Sequence, residues 1–445
     1  MNNVDLYKGM NGISDDVLER SEKCMHSFNK KKIPGKWLLP FAACMILALL
    51  GVTFLLKNTN EIKASDLMKG IQANESIKGS SPDLYSSVIT GFSIKIFKAC
   101  YDNKHNQLIS PVSILSTMGM LANGADGETL NQMENVLGVP KKLLNESILG
   151  FFTEQNIGDN NKLTSANSLW LDESIGILNQ DFLQTNADYY SADVYKIALN
   201  KKAIKVINKW VEEKTNGMIK KIIEDDSDDN SNMFIINALA FEAEWEEQYK
   251  DDSVIDGVFT TEEGIEKNIQ LMCSTERDYI EDNNTTGFIK YYKDKRYAFV
   301  ALLPDESISL SDYISSIDEA KISQLISNKK KGTVIARLPK FEIEYSIELK
   351  KALREMGMSD AFDPGKADFS YITENLDLYL SQVLHKTYIK VDEKGTKAAA
   401  VTATTIFAGN ALIYEVNLNR PFIYMLIDCK SNTPFFIGTV VDFEN

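Results

Sequence analysis

Residues 391–410 have the sequence VDEKGTKAAAVTATTIFAGN, and this stretch decides how the whole chain is interpreted. It begins with the pattern of a strand and continues as a run of small residues. Composition alone leaves two other interpretations open, because the alanines at 398–400 can start a helix or belong to a loose linker. However, threonine and valine recur among the alanines, and β-branched residues favour strands over helices.

In an extended segment, alternate side chains point to the same face, and here one face carries only small or short side chains. These residues are Thr396, Ala398, Ala400, Thr402 and Thr404. Such a face would let the segment slide between two existing strands without clashing with the core. Proline is absent from Val391 to Asn419, so each backbone N–H in that range can donate a ladder hydrogen bond.

The segment from Glu393 to Ala400 resembles the hinge of the reactive-centre loop in inhibitory serpins. The hinge residues that this resemblance implies are Glu393, Lys394, Gly395, Thr396, Lys397, Ala398, Ala399, Ala400, Val401 and Thr402. Other serpin-like motifs stand in the family's order along the chain. They are NQLISPVSI at 106–114, the helical segment 208–219, FIINAL at 234–239, LPKF at 338–341, LSQVLHK at 380–386, NRPF at 419–422 and PFFIGTVVD at 434–442. The resemblance covers roughly residues 83–445.

The resemblance implies an α+β serpin fold with a large mixed central β-sheet, additional β-sheets, about eight or nine helices and an exposed reactive-centre loop. The residue patterns agree with this class, because helical segments and strand-like runs such as 297–303 and 421–427 do not alternate regularly.

The resemblance also implies roles for residues outside the loop. Ser110, Ser113, Asn237 and His385 would form the shutter, a hydrogen-bonded cluster under the place where the sheet opens. Trp245, Lys340 and Glu393 would form the breach, where the loop first inserts. Without the family context, His385 would be interpreted as a satisfied core histidine, and Lys340 with Glu393 as a surface pair of little energetic consequence.

The bait bond, where a protease would cut, has four candidate positions. Sixteen residues after Glu393 is Gly409, whereas eleven residues before Pro421 is Asn410, so the loop is one residue longer than the usual pattern. Ala408 and Phe407 remain candidates as well.

The function implied is suicide inhibition of serine-type endopeptidases: the loop is cleaved, the acyl-enzyme is trapped and the loop inserts as a strand. The alternative is a non-inhibitory serpin that acts as a surface binding or chaperone-like module. That alternative is typical of a bulky, charged or proline-containing hinge, whereas the segment here is small apart from Lys397.

The loop also predicts the target class. Between Ala398 and Asn419 there is no lysine or arginine, so a trypsin-like pocket finds no cation to bind. We expect serine proteases with small or hydrophobic pockets, of the elastase, subtilisin or chymotrypsin type, with papain-like cysteine proteases as a further class.

Composition excludes several other functions. A net charge of -15 argues against nucleic acid as a partner. Only three histidines occur, and HExxH, GxSxG, P-loop and GxGxxG patterns are missing, so the sequence predicts a protein that is not an enzyme and needs neither cofactor nor metal. The five cysteines lack metal-type spacing and are interpreted as packing residues in a monomer.

The N-terminal region predicts a membrane anchor. Lysines at 30, 31, 32 and 36 precede an uncharged apolar run at 37–56, long enough to cross a bilayer. The expected organisation is a cytoplasmic tail (1–36), a transmembrane signal anchor (37–56), a linker (57–82) and the serpin domain (83–445). The positive-inside rule places that domain outside the cell membrane. Secretion after cleavage of a signal peptide is the alternative.

Overall fold

Two large sheets and the helices around them make up the computed structural model, which describes residues 64–155, 163–224, 232–374, 378–396 and 412–443. Within these ranges there are nine α-helices: α1 (Pro82–Cys100), α2 (Pro111–Ala122), α3 (Gly127–Leu137), α4 (Lys141–Gln155), α5 (Gln180–Tyr190), α6 (Lys201–Lys214), α7 (Leu310–Ser316), α8 (Glu319–Ser327) and α9 (Lys350–Glu355).

The strands are β1 (Ser65–Asp66), β2 (Gln107–Ile109), β3 (Leu163–Leu171), β4 (Asp193–Lys196), β5 (Met233–Phe241), β6 (Ala243–Glu244), β7 (Val254–Thr260), β8 (Glu266–Glu281), β9 (Thr285–Tyr291), β10 (Tyr297–Pro304), β11 (Lys330–Pro339), β12 (Phe341–Glu348), β13 (Gln382–Val391), β14 (Gly395–Thr396), β15 (Ile413–Asn417), β16 (Phe422–Asp428) and β17 (Thr433–Val440).

A six-stranded sheet has the order β1-β4-β3-β5-β13-β12. Two of its inner strands, β5 and β13, are parallel neighbours, whereas β3–β5 and β12–β13 are antiparallel. The sheet is therefore mixed, as the sequence predicts. A nine-stranded sheet has the order β15-β11-β8-β9-β10-β16-β17-β2, with β7 paired to β8, and a small sheet joins β14 to β6.

Strand β5 shows why the six-stranded sheet is covered on both faces. Met233, Ile235, Leu239 and Phe241 point into the main hydrophobic core, whereas Phe234, Ile236 and Ala238 belong to a smaller cluster on the other face. That second cluster includes apolar residues of α6, so this helix crosses the outer face of the sheet. A nearly continuous apolar run, interrupted here by Asn237, is typical of a strand that is buried on both faces.

The nine-stranded sheet supplies the most buried strands. Every residue of β10, β16 and β17 is buried. The strands predicted at 297–303 and 421–427 are therefore confirmed by β10 and β16. Their runs of apolar residues reflect burial on both faces of the sheet, as in β5.

The residues just before α1, which fall within the linker expected at 57–82, contact the folded body. Strand β1 pairs with β4, and the Ser80 N–H donates to the Glu146 carbonyl at 2.7 Å. Leu67, Met68 and Ile71 pack against the core. Apolar side chains among the polar ones thus attach residues 64–81 to the body.

Within the described residues, no helix is both long and apolar enough to span a membrane. The apolar run at 37–56 and the expected tail at 1–36 lie outside those residues.

Candidate functional site

The root of the predicted loop, residues 392–396, is anchored on the segment that follows β5. The Trp245 N–H donates to the Lys394 carbonyl at 3.1 Å, and the Tyr249 N–H donates to the Glu393 carbonyl at 2.9 Å. The Trp245 indole Nε1–H donates to the Asp392 carbonyl at 2.9 Å. Strand β14 then pairs with β6, so the chain leaves the body beside the end of β5.

Glycine is required at position 395 for two reasons. Its φ angle is +141°, which L side chains rarely adopt, and a Cβ there would lie 2.3 Å from the carbonyl oxygen of Ala243. A larger residue would therefore both strain the backbone and displace β14 from β6. Glycine at position 395 thus allows the root to pass this close to β6.

The three predicted breach residues lie around this root. Lys340 and Glu393 form an ion pair, and Lys340 Nζ also donates to Gln270 Oε1 at 3.0 Å. Burial acts to raise the pKa of Glu393, but the hydrogen bond and charge of Lys340 outweigh it, so the pKa is lowered. Trp245 is buried and stacks on Tyr292 with ring centroids 4.5 Å apart.

Below the root, the neighbouring strands β5 and β13 of the six-stranded sheet are only partly paired. The described ladder between β5 and β13 runs from Phe234–Gln382 to Ala238–Lys386. Both strands continue beyond it, β5 to Phe241 and β13 to Val391. This unpaired half, which we call the slot, opens at the end of the sheet where the loop root is held.

The four predicted shutter residues are buried together where the β5–β13 ladder is closed. The Ser110 N–H donates to His385 Nε2 at 3.0 Å, and Ser113 Oγ donates to Asn237 Oδ1. His385 and Asn237 stand opposite each other in the ladder. Burial lowers the pKa of His385 to about 3, so the imidazole is neutral and able to accept this bond.

The polar cluster extends further than the sequence predicted. Asn237 Nδ2 donates to Asn167 Oδ1, and Asn167 Nδ2 donates to the Tyr190 carbonyl at 3.0 Å. The Tyr190 hydroxyl donates to Asn145 Oδ1 at 2.6 Å. Asparagine is depleted in strands, so Asn167 in the middle of β3 is the one sequence feature that could have indicated this extension of the cluster. Its partners, by contrast, depend on contacts distant in sequence.

The remaining predicted site residues lie outside the described part of the chain. They are the hinge residues Lys397, Ala398, Ala399, Ala400, Val401 and Thr402, and the bait candidates Phe407, Ala408, Gly409 and Asn410. For Thr396 only the backbone, in β14, is described.

The described residues offer no cluster of three or more histidine, cysteine, aspartate or glutamate side chains that could hold a metal. Cys100, Cys273 and Cys429 are free thiols, and burial raises the pKa of Cys100 and of Cys429 to about 12. Cys100 and Cys429 are therefore poor ligands and nucleophiles at neutral pH.

The sequence that forms this partly opened sheet and the loop root matches a known family. The family model "Serpin (serine protease inhibitor)" matches residues 87–443. The chain belongs to the serpin family. Its α+β fold is the serpin fold, as predicted, and serpins are protease inhibitors rather than enzymes.

Individual relatives agree with this assignment. The crystal structure of the thermophilic serpin tengpin in the native state is 44% identical, with a TM-score of 0.81, and the match covers 86% of this chain and 100% of that one. For tengpin in the latent state the identity is 42% and the TM-score 0.72, over 83% of this chain and 100% of that one. The leukocyte elastase inhibitor of Xenopus tropicalis is 30% identical over 369 residues, 79% of this chain and 98% of the relative.

Proposed function

We propose that this serpin inhibits serine proteases as a suicide substrate, with the bait bond among residues 407–410 and the slot between β5 and β13 as the place of insertion. The observation that carries the proposal is the position of the loop root. Glu393 and Lys394 are held by backbone hydrogen bonds at the open end of the slot. The segment that follows needs only to turn about Gly395 to lie between the two strands.

The chemical step requires nothing from the serpin beyond the bait bond. The protease serine Oγ attacks the carbonyl carbon of that bond, an ester forms, and the peptide C–N bond breaks. The proton of the serine hydroxyl passes to the new amino group, which becomes the start of the C-terminal fragment; strands β15, β16 and β17 keep that fragment in the nine-stranded sheet until the protein is denatured. The loop segment N-terminal to the cut is then tethered at one end only, so it is free to insert and carries the acylated protease with it.

Insertion is favourable because it converts one short ladder into two long ones. A strand of about a dozen residues, at a net ~1 kcal/mol per backbone hydrogen bond, gains on the order of 10 kcal/mol. That is comparable to the stability of a whole domain and is enough to distort the active site of the protease. The uninserted state must therefore be held by a kinetic barrier.

The target class follows from the uncharged loop. We propose proteases of the elastase, subtilisin or chymotrypsin type, and the similarity to a leukocyte elastase inhibitor supports this class. Papain-like cysteine proteases, which form thioesters, are a secondary class. A pocket that distinguishes one methylene discriminates by only about 1–3 kcal/mol, so we expect several targets within the group.

The proposed location is the cell membrane, with the apolar run at 37–56 as a single-pass anchor and the serpin domain outside. The lysines before that run support this orientation.

The test of function is to mix the protein separately with pancreatic elastase, subtilisin and trypsin and to look for complexes that survive denaturation. We expect complexes with elastase or subtilisin, and a released fragment whose mass places the cut between Phe407 and Ala411. A protease whose catalytic serine is replaced by alanine is the control and should give no complex. Trapping of trypsin alone, or a cut elsewhere, would show that the bait is misplaced.

A further inference from the structure

Lys290, in β9, is a buried cation that no sequence motif singled out. The residue is 1% exposed. Its Nζ lies 2.8 Å from Glu276 Oε1 and donates to the Glu247 carbonyl at 3.1 Å. The same ammonium group lies 4.3 Å from the centroid of the Tyr249 ring and 5.3 Å from that of Trp245. It thus contacts three residues of one short segment, 245–249.

This ammonium group stays charged despite its burial. Burial alone would lower the pKa of Lys290, but the charge of Glu276 outweighs it and the pKa is raised. A buried ion pair of this kind often contributes little to stability compared with apolar residues of the same size. The pair instead fixes the position of nearby groups, because the Lys290 ammonium group contacts the Glu276 carboxylate, the Glu247 carbonyl and the ring faces of Tyr249 and Trp245 at once.

The segment 245–249 holds the loop root on its other side. The N–H groups of Trp245 and Tyr249, the two residues whose rings contact Lys290, donate to the carbonyls of Lys394 and Glu393. The third contact of Lys290, the Glu247 carbonyl, lies between them in sequence. Lys290 and the root of the reactive loop are therefore connected through one five-residue segment.

The geometry points to Lys290 as a positioning residue for loop insertion: with Glu276 it fixes segment 245–249, which in turn holds the loop root at the open end of the slot. This inference rests on the proposed trapping mechanism. After acylation, insertion competes with hydrolysis of the ester by water. A root held in register lets insertion begin at once, whereas a loosened root delays it, so that more of the serpin is cleaved without trapping the protease.

The experiment uses the full-length chain with Lys290→Met and Glu276→Gln, each of which removes one charge of the pair. Asp428→Asn is the matched control, because Asp428 is also a buried carboxylate in a sheet, 0% exposed and 2.8 Å from Arg296 Nη2. Two quantities are measured: amide hydrogen exchange of the peptide spanning 243–249, and the number of serpin molecules consumed per elastase molecule inactivated.

We expect both test variants to raise exchange in this peptide at least tenfold and serpin consumption at least threefold, while the control stays within twofold of the wild type in both. Unchanged exchange in both test variants overturns the role of Lys290 in holding the root. Raised exchange with unchanged consumption, or equal effects of the control, overturns its role in insertion. If Lys290→Met does not fold, Glu276→Gln decides alone.

Failure of the proposed function gives a different pattern. If the wild-type chain forms no complex with any of the three proteases, trapping is refuted, and the insertion role of Lys290 is refuted with it. The exchange measurement still decides whether Lys290 holds the root.

Discussion

His385 is the shutter residue whose protonation state follows from its burial and its hydrogen bond. It is 3% exposed and accepts a hydrogen bond from the Ser110 N–H through Nε2. Protonation of that nitrogen would destroy the bond and leave a charge buried beneath the sheet. The neutral imidazole therefore belongs to the folded state with a closed β5–β13 ladder.

This environment makes stability depend on pH. The pKa of His385 is about 3 when folded, against an ordinary value of 6.5. Between these values the unfolded chain binds a proton that the folded chain does not, so stability from this residue is complete above about pH 6.5 and falls as the pH falls. At about 1.4 kcal/mol per unit, lowering the pH from 7 to 5 should cost about 2 kcal/mol.

The measurement is the first urea-unfolding transition at pH 7 and at pH 5, in the wild type and in His385→Gln. Other groups also titrate in this range, so the quantity of interest is the difference between the two proteins. We expect the variant to lose about 2 kcal/mol less than the wild type over this interval. Identical losses would contradict the assignment of a neutral, unprotonated His385.

The shutter residues could be predicted from the sequence and Lys290 could not, because only the shutter residues lie in recognisable sequence motifs. Ser110, Ser113, Asn237 and His385 lie in motifs that resemble a known family, and the structure brings them together as expected. Lys290 lies in an ordinary strand pattern, and the role proposed for it rests on contacts with Glu276 and segment 245–249 that only the fold creates. The sequence alone does not distinguish a buried lysine from an exposed one, because burial depends on the fold.

At the scale of elements, the sequence predicted more than at the scale of residues. Runs of apolar residues predicted β10 and β16, and small residues with period two predicted a segment that can become a strand. The partial pairing of β5 with β13 could not be predicted, because it depends on where two strands distant in sequence separate. Likewise, the polar composition of 57–82 concealed the few apolar residues that attach 64–81 to the body.

The strand-insertion mechanism makes a prediction for Thr396, the last described residue before the loop. If this position becomes buried between β5 and β13 at the first step, Thr396→Arg places an unpaired charge there at a cost of several kcal/mol. The variant should be cleaved by elastase or subtilisin with little stable complex, at least tenfold less than the wild type on a denaturing gel. Thr396→Ser is the control and should trap normally.

The outcome for Thr396→Arg separates two mechanisms. Loss of complex with normal cleavage indicates that insertion fails after acylation. Complex formation equal to the wild type would contradict strand insertion at this position, since no partner for an arginine is expected on the small-residue face.

For the molecule as a whole, trapping needs a metastable body presented where target proteases occur. The uninserted arrangement, with the β5–β13 ladder closed over five residue pairs, is the higher-energy state in the proposed mechanism. The direct pairing of β5 with β13 leaves no strand between them over those five pairs. The sequence before residue 62 determines where such a body would act.

The last prediction therefore concerns the N-terminal region. With four lysines before an uncharged apolar run, the full chain should fractionate with membranes, and protease added to intact cells should reach the body but not an epitope placed at the N-terminus. A chain that begins at Ala64, the first described residue, should be soluble and keep the β1–β4 pairing. One that begins at Asp83 would lose that pairing and the packing of Leu67, so the earlier start is the correct comparison. Native protein found mainly in the medium, with its N-terminus near Ser65, would show that the apolar run is a cleaved signal peptide instead.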